Sequence, residues 1–502
     1  MLGVIESACV LGGRGSPVRV EVHVSAGLPG FTVVGLPDGV CREARDRVRA
    51  ALLSSGIDWP PRRITVNLAP SGLPKAGAGL DLPVAMGLLT ACEVVPAEAV
   101  AGLAFVGELG LDGGLRPVPA MAALAGSVRT ETLVVPDGSS AEAALVPGLT
   151  VRAASTLAEL VDVLRGEAPW PDAVGAETAE PEAAVADLRD VRGQPTARLA
   201  LEVSAAGGHH LLMSGPPGAG KTMLARRLPG LLPPLDDAAA LESLQLRSAA
   251  GEPAGTVLGR RAPFRAPHHS TSPAALVGGG SGQLRPGEIS LASGGVLFLD
   301  EMGEFPPSAL DALREPLEEG VVRVSRAAGT VTFPARFLLV AAMNPCPCGN
   351  GGRPGACACS ESARQRYARR VSGPLLDRFD LRIEVDRPSP EHLLRGPAGE
   401  PSSAVAERVA RVRELARRRG VEMNAALPTS ALDDLAPLGP EGAGLLEDEL
   451  ARGRLSARGL QRVRRVALTL ADLAGDDGPL AEHHIATALG LRVDLHPFRA
   501  HV

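Results

Sequence analysis

Alternating apolar and polar positions open the chain and predict an α/β domain over residues 1–165. Residues 17–25 alternate as a half-buried strand does, and residues 64–68 repeat that pattern. Between them, residues 40–54 follow helical spacing with arginines on one face, and the apolar residues 80–91 predict a second helix. Strands and helices therefore alternate along this part of the sequence.

Short continuous apolar runs follow further along and predict strands that are buried on both faces. They cover residues 211–213, 296–299 and 337–343, and each is bounded by glycine or polar residues. A helix over 195–206 leads into the first run, and amphipathic helices begin near residue 401. The pattern predicts a second α/β unit, followed by a helical region.

A change of composition separates the two α/β units. Residues 166–188 contain three prolines, six acids and neither lysine nor arginine, a composition that stays solvated rather than packing into a core. We predict that this segment is a linker between the domain of residues 1–165 and a core over 189–390. Residues 391–502 are predicted to form a helical lid.

Length and charge narrow the class of protein. With 502 residues, of which 45% are hydrophobic, the chain has enough apolar material for about three packed domains. Its net charge of −6 does not by itself suggest a nucleic-acid partner. No apolar run reaches the roughly 20 residues of a membrane span, and the N-terminus lacks the layout of a signal peptide. We predict a cytoplasmic protein with no membrane partner.

The strand over 211–213 runs directly into the phosphate-binding pattern G-x-x-x-x-G-K-[ST]. Glycines in such a loop let backbone N–H groups close around the phosphates of a nucleotide. Lys221 is predicted to reach the β and γ phosphates of ATP, and the Thr222 hydroxyl to bind Mg²⁺. The eight residues of the pattern are Gly215, Pro216, Pro217, Gly218, Ala219, Gly220, Lys221 and Thr222.

The strand over 296–299 ends in two acids, Asp300 and Glu301. Beside a phosphate-binding loop, the first carboxylate can hold Mg²⁺ and the second can polarise the water that attacks the γ-phosphate. The alternative is a solvated acidic turn. Because the loop and the acids occur together, the sequence predicts a nucleotide-hydrolysing site.

Four cysteines lie in a glycine-rich loop over residues 345–360: Cys346, Cys348, Cys357 and Cys359. Four thiolates on a short loop suit tetrahedral Zn²⁺, although C-x-C is tighter than the commoner C-x₂-C spacing. Reduced cysteines and redox-paired cysteines remain as alternatives. We predict a structural zinc site.

Two stretches exceed what a minimal nucleotide-binding core requires. The first, between the phosphate loop and the two acids, holds residues 264–272 and the glycine-rich run 278–282. Its His268 and His269 are predicted to pack through hydrogen bonds within the insertion, with metal binding as the alternative.

The second stretch follows the acids as a helix over 308–319 and a β-hairpin of 321–326 with 330–333. Insertions at these two places resemble those of the helix-2-insert and pre-sensor-1 hairpin AAA+ proteins, such as replicative MCM helicases and magnesium chelatase motors.

The segments 72–79 and 107–118 resemble the ribosomal-S5-like α+β domain of Lon-type proteases. The position of that family's nucleophilic serine falls at about Gly79, and that of its catalytic lysine at about Ala122. Because neither side chain can do that chemistry, an ATP-dependent peptidase is disfavoured. We expect a structural, assembly or substrate-contact module.

Nearly the whole chain resembles the ComM/YifB proteins, which are magnesium-chelatase-like. The resemblance rests on the motifs Gly-Pro-Pro-Gly-Ala-Gly-Lys-Thr, Ala-Pro-His-His-Ser-Thr, Leu-Phe-Leu-Asp-Glu, Asn-Pro-Cys-Pro-Cys-Gly, Gly-Pro-Leu-Leu-Asp-Arg and Leu-Ser-Ala-Arg, in this order. It implies a homohexameric AAA+ motor that uses ATP and Mg²⁺ to promote DNA branch migration during recombination of incoming single strands, as in natural transformation. A chelatase-type motor that remodels a protein partner for metal insertion is the alternative.

The same resemblance implies further site residues. Val191 and Gln194 would contact the adenine side, Asn344 would be sensor 1, Arg378 an arginine finger acting on the neighbouring subunit, and Arg458 sensor 2. A strand-end asparagine, a local salt-bridged turn and a solvated arginine are the respective alternatives for the last three.

Guanidinium groups on a pore hairpin can follow DNA phosphates without reading sequence. The proposed DNA contacts are Arg323, Arg326, Arg366 and Tyr367. A solvated basic face is the alternative. Arg323 and Arg326 share a face of the hairpin only if its register slips at Ser325.

Overall fold

The computed structural model describes most of the chain. The described residues are 1–11, 14–34, 38–70, 78–174, 186–253, 257–280, 284–326, 329–351 and 357–494. Residues 175–185 of the predicted linker and residues 281–282 of the glycine-rich run therefore lie outside the described residues, as does the side chain of Arg326.

The N-terminal third folds around a mixed seven-stranded sheet with the order β3-β4-β2-β1-β5-β8-β9. Its elements are β1 (Leu2–Leu11), β2 (Arg14–Ser25), β3 (Gly30–Val34), α1 (Asp38–Ser54), β4 (Arg63–Ala69), α2 (Asp81–Ala91), α3 (Ala97–Val100), β5 (Leu103–Phe105), β6 (Glu108–Leu109), β7 (Leu115–Arg116), α4 (Met121–Ala125), β8 (Thr132–Pro136), α5 (Asp137–Ala143), β9 (Thr150–Ala154) and α6 (Leu157–Leu164).

Helix α2 is buried along its whole length against this sheet. A Cβ on Gly3 of β1 would come within 2.1 Å of the Gly87 carbonyl oxygen, and one on Gly87 within 2.6 Å of Val22. Only glycine allows helix and strands to approach so closely. The predicted strand and helix positions in this region are confirmed, with ends shifted by a few residues at most.

The middle of the chain is built on a second sheet of five parallel strands, in the order β11-β14-β17-β10-β18. Its elements are α7 (Pro195–Gly207), β10 (Leu211–Ser214), α8 (Lys221–Ala225), α9 (Asp237–Ala250), β11 (Phe264–Arg265), α10 (Pro273–Val277), β12 (Gly278–Gly279), β13 (Arg285–Pro286), α11 (Glu288–Leu291), β14 (Val296–Leu299), α12 (Pro307–Asp311), α13 (Arg314–Glu319), β15 (Val321–Arg326), β16 (Gly329–Pro334), β17 (Leu338–Met343), α14 (Glu361–Ala368), α15 (Gly373–Leu376) and β18 (Leu381–Glu384).

Every residue of β10, β14 and β17 is buried, which explains why these strands appear in the sequence as continuous apolar runs. All three end at the same edge of the sheet because they are parallel. This arrangement is a parallel-sheet core of the P-loop AAA+ type and brings together the polar residues that follow each strand.

The second insertion departs from its prediction in one respect. The single helix expected over 308–319 is wrong: α12 ends at Asp311 and α13 begins at Arg314. The hairpin of β15 and β16 forms as predicted, with Arg323 opposite Thr332 and Ser325 opposite Thr330. Its register is regular, so the slip at Ser325 does not occur.

The C-terminal region is helical, as predicted. Its helices are α16 (Pro390–Arg395), α17 (Ser402–Arg418), α18 (Leu432–Leu435), α19 (Pro440–Ala451), α20 (Ala457–Ala474) and α21 (Glu482–Gly490). None of the helices in the described ranges has both the length and the apolar character that crossing a membrane requires.

Asp380, immediately before β18, links the helical region to the core. It pairs with Arg462 of α20 and lies 3.6 Å from His209 Nδ1, while Arg492 donates to its carbonyl oxygen at 2.9 Å. Burial opposes the ionised form, but the nearby His209 and the charge of Arg462 hold the pKa of Asp380 well below its usual range. The carboxylate is therefore charged, and it links β18 to α20.

The N-terminal region contacts the core through α4 and α9. Ala122 packs with Leu145 and with Leu244 of α9, and Glu142 accepts from the Ala122 N–H at 2.7 Å and from the Ser248 hydroxyl. Ala122 is the position predicted to correspond to a catalytic lysine, and it is completely buried. Helix α9 of the core lies against this place.

Candidate functional site

The phosphate loop joins β10 to α8 and depends on its glycines. A Cβ on Gly215 would come within 2.1 Å of the Val385 carbonyl oxygen. Gly218 and Gly220 have φ values of +78° and +90°, which residues with a side chain rarely adopt. The turn ends where α8 begins, at Lys221. The loop therefore leads into a helix N-terminus, the arrangement that favours phosphate.

Lys221 lies at the centre of this turn and is largely buried. Its ammonium donates to the carbonyl oxygens of Gly215 and Pro216 at 2.6 and 3.1 Å, and to Asn344 Oδ1 at 3.3 Å. Burial lowers the pKa of Lys221, while the charges of Asp300 and Glu301 oppose that shift. The ammonium is thus held beside Asn344, the predicted sensor 1.

The acids after β14 reach the same place. The Thr222 hydroxyl donates to Asp300 Oδ2 at 2.7 Å, so the two predicted Mg²⁺ ligands are adjacent. Glu301 follows in the left-handed region at φ 51°, and its side chain is 55% exposed. A hydroxyl and a carboxylate are oxygen ligands of the kind that Mg²⁺ prefers.

These groups line one cleft of about 420 Å³. Its lining comprises Pro217, Gly218, Ala219, Gly220, Lys221, Thr222, Met223, Asp300, Glu301, Ala342, Met343 and Asn344. The structure therefore brings together the predicted phosphate loop, the two acids and Asn344. Val191, Gln194, Arg378 and Arg458 are not part of this lining.

Gln194 borders the loop from the other side. Its Nε2 donates to the Ala219 carbonyl oxygen at 2.7 Å and to that of Asp386 at 3.2 Å, whereas its buried Oε1 has no hydrogen-bond partner in the described part of the chain. An unpartnered acceptor is costly unless a ligand satisfies it. Val191 is buried nearby in sequence and offers only its backbone, and its carbonyl oxygen accepts from Arg198 at 3.0 Å. The cradle and the free acceptor fit a nucleotide.

Comparison with known proteins agrees with this geometry. Residues 187–393 match the family model "Magnesium chelatase, subunit ChlI", residues 20–139 match "Subunit ChlI of Mg-chelatase", and residues 399–492 match the C-terminal model of the same subunit. The competence protein ComM of Haemophilus influenzae is 43% identical over 502 residues, which cover 98% of this chain and 97% of that protein. The chain belongs to the ComM/YifB family.

Other members of the ComM/YifB family are equally similar. YifB of Escherichia coli is 43% identical over 503 residues, 98% of this chain and 97% of its own. In contrast, the magnesium-chelatase 67 kDa subunit of Heliobacterium mobile is 27% identical over 231 residues, which cover 40% of this chain and 33% of that subunit. The similarity over the full length is therefore to ComM and YifB rather than to the chelatase subunit. The comparisons support an AAA+ ATPase of this family.

Arg378 is held inside its own subunit. It is 8% exposed, donates to the Pro374 carbonyl oxygen at 2.6 Å and pairs with Glu318. Arg458 is exposed in the first turn of α20. Its side chain has no ion pair or hydrogen bond to the described residues. The finger role of Arg378 and the sensor 2 role of Arg458 stay predictions.

The four cysteines of this ComM/YifB protein converge. Cys346 Sγ is 3.3 Å from Cys348 Sγ and 3.7 Å from Cys357 Sγ, and the four sulfurs, with Cys359, lie within 4.8 Å of one another. Sulfurs on a tetrahedral Zn²⁺ with bonds of about 2.3 Å are separated by about 3.8 Å, so the residues fit this ion.

The cysteine loop also contacts the phosphate loop. A Cβ on Gly349 would come within 2.5 Å of Pro217, and Gly349 itself has a φ of 76°. The Gly351 N–H donates to Cys346 Sγ at 3.1 Å, a contact that stabilises a thiolate. The cysteine loop is therefore packed directly against the phosphate loop.

The proposed DNA contacts differ in their exposure and in whether they have a carboxylate partner. Tyr367 is 5% exposed and lies against Gly303, and burial raises its pKa to about 12. This prediction is wrong, because α14 turns Tyr367 toward the core. Arg323 is half exposed but pairs with Glu315 and Glu319. Arg366 is exposed and has no partner among the described residues.

The sequence interpretation missed two side chains of the site. Arg387, just after β18, donates to the Pro217 carbonyl oxygen at 2.9 Å. Its position after a parallel strand was an available signal, since the ends of such strands meet. His269 lies 3.2 Å from Glu301, and the tandem histidines were noted without this role.

Proposed function

We propose that this protein is an ATP-hydrolysing motor that translocates on DNA. The observation that carries ATP hydrolysis is one cleft in which Lys221 contacts Asn344 and Thr222 contacts Asp300, with Glu301 at its edge. Lys221 would bind the β and γ phosphates, Thr222 and Asp300 would hold Mg²⁺, and Glu301 would polarise the attacking water. Mg²⁺ would neutralise the charge that develops on the phosphates.

DNA branch migration by a homohexamer is the finer part of the proposal. It is supported by similarity over the full chain to a protein named for competence, and by an N-terminal region that resembles the Lon-type fold but has Gly79 and Ala122 in place of a peptidase dyad. A ring would let Arg378 of one subunit reach the γ-phosphate held by its neighbour.

ATP turnover with and without DNA tests this proposal. Single-stranded or branched DNA should raise turnover, and a salt series should show binding that weakens steeply with salt and depends little on base sequence. Lys221→Ala protein serves as the control for contaminating ATPases. If the rate of ATP turnover does not change when DNA is added, the chelatase-type motor acting on a protein partner would be favoured instead.

Exposed arginines without carboxylate partners should carry most of the phosphate contacts. Arg366 and Arg369, at the end of α14, are both exposed. Replacing the two together with alanine should lower the slope of log affinity against log salt by about 1 to 2. Arg323→Ala is the matched control, since Glu315 and Glu319 already neutralise that guanidinium. Fluorescence anisotropy with labelled single strands measures the slopes. An unchanged slope in the double variant would place the DNA path elsewhere, with Arg326 the remaining hairpin candidate.

The cysteine cluster is proposed to hold one structural zinc ion per chain. Cys346→Ser should lose the metal and lower ATP hydrolysis with little change in nucleotide affinity, because the loosened loop no longer supports Pro217 and Asn344. Metal analysis after purification under reducing conditions without chelators checks this. Cys92→Ser, a half-buried cysteine outside the cluster, is the control. A metal-free, fully active wild-type protein would contradict the zinc proposal.

A further inference from the structure

Tyr367 of α14 is the only tyrosine in the chain, and its side chain is 5% exposed. It belongs to a buried cluster with Met302, the residue after Glu301. Met343, the residue before Asn344, is a member of the same cluster. A phenol in a protein core is costly unless its hydroxyl has a hydrogen-bond partner. The partner of this hydroxyl therefore indicates what the residue does.

The ring of Tyr367 supports the turn that follows Glu301. A Cβ on Gly303 would come within 2.4 Å of both the hydroxyl oxygen and Cζ of Tyr367, so only glycine leaves room for the ring. The turn covers Met302–Glu304, and the Glu304 N–H closes it by donating to the Glu301 carbonyl oxygen at 2.7 Å. The ring thus fixes the backbone from which the Glu301 side chain extends.

The hydroxyl of Tyr367 contacts the backbone of Asn344. Burial raises the pKa of Tyr367, and the hydrogen bond that the Asn344 N–H donates to its oxygen opposes this shift. Asn344 presents its Oδ1 to the cleft, where Lys221 donates to it at 3.3 Å. Asn344 is therefore held through its backbone by Tyr367 while its side chain faces the phosphate loop.

The cysteine cluster connects the same two segments a second time. Cys346 comes shortly after Asn344, and α14 begins at Glu361, shortly after Cys359. Because the four sulfurs lie within 4.8 Å of one another, the chain that leaves Asn344 returns close to it before α14 starts. This loop brings the helix that carries Tyr367 back to the edge of the sheet.

We propose that Tyr367 is a positioning residue for ATP hydrolysis, whose hydroxyl holds the Asn344 backbone and whose ring holds the turn after Glu301. The inference rests on the ATP-hydrolysing part of the proposed function, in which both residues act on the attacking water. Tyr367 does not line the cleft, so it acts through these two residues and contributes nothing to ATP affinity.

Steady-state turnover of the full chain without DNA tests the role of the hydroxyl. Tyr367→Phe keeps the ring against Gly303 and removes only the hydroxyl. Its kcat should fall by roughly three- to tenfold, the effect of one hydrogen bond, with KM for ATP unchanged.

Ser360→Ala is the matched control, because it weakens α14 without touching Tyr367. The Ser360 hydroxyl caps this helix by accepting from the Ala363 N–H at 3.2 Å. Its loss should lower the melting temperature and leave kcat as in the wild-type protein.

A spectroscopic measurement reports on the contact directly. Since the chain has one tyrosine, protein labelled with ¹³C-tyrosine gives the ring signals of Tyr367 alone. Adding Mg²⁺ and a non-hydrolysable ATP analogue should shift these signals, because Lys221 leaves Asn344 for the phosphates and the surroundings of Asn344 change. Lys221→Ala protein should show a smaller shift.

A wild-type kcat in Tyr367→Phe would overturn the inference, and so would a raised KM. An equal loss of kcat in Ser360→Ala would also overturn it, because general weakening of α14 would then explain both results. If the wild-type protein did not hydrolyse ATP, the proposed function would fail separately. The tyrosine signals then decide: a shift with the analogue supports the contact with Asn344, and unchanged signals overturn it.

Discussion

Glu301→Gln should bind ATP as the wild-type protein does and lose hydrolysis by roughly 10²- to 10⁴-fold, the range that a positioned general base contributes. The amide keeps the size of the carboxylate at the edge of the cleft but cannot accept a proton from water. The Glu301 side chain has no hydrogen bond to the phosphate loop, so replacing it should leave the binding affinity for ATP unchanged. Phosphate release and a fluorescent nucleotide titration measure the two quantities separately.

Glu304→Gln is a matched control for this prediction. Glu304 is three residues away and exposed, but pairs with Arg370 at 2.6 Å rather than lining the cleft. Lys221→Ala is the opposite contrast: it should weaken ATP binding by about 1.5–3 kcal/mol, since a charged hydrogen-bond donor to the phosphates is lost. Hydrolysis by Glu301→Gln at the wild-type rate would show that another group polarises the water.

Arg378→Ala should bind ATP normally and lose hydrolysis by roughly 10³- to 10⁵-fold, the contribution of an arginine finger. Mixing it with Lys221→Ala protein should restore part of the turnover, because an intact phosphate loop in one subunit then meets an intact finger in the next. A purely structural arginine cannot be rescued in this way. Arg370→Ala, which loses an exposed ion pair with Glu304, is the control.

The surroundings of Arg378 sharpen this experiment. Its guanidinium is bound to Glu318 and to the Pro374 carbonyl oxygen, so alanine removes contacts within the subunit as well. Thermal melting and assembly must therefore be measured alongside turnover. A folded, assembled mixture that gives no recovery at any ratio would count against a finger acting across subunits.

Local patterns in the sequence were sufficient for the elements and for the centre of the site. Continuous apolar runs predicted β10, β14 and β17, because strands covered on both faces have no polar side to show. The phosphate loop, Asp300 and Asn344 follow those strands directly in the chain. Parallel strands end at one edge, so residues identified one by one could be expected to meet there.

Side-chain partners were decided by the tertiary structure alone. Tyr367 was expected to face DNA, yet α14 packs it against Gly303. Arg323 was predicted to contact DNA, but it pairs with Glu315 and Glu319. Arg378 was predicted to act on a neighbouring subunit, but it is buried beside Glu318. Long side chains can reach partners in many directions. The helices and strands packed around each side chain therefore determine which partner it contacts.

His269 and Glu301 show the physical reason most clearly. They are 32 positions apart in the printed sequence, and no periodicity links them. Their contact exists because β11 pairs in parallel with β14, so the residues that follow the two strands leave the sheet at the same edge. The sequence by itself determined the strands and the phosphate-binding chemistry, whereas strand pairing determined which side chain meets the catalytic carboxylate.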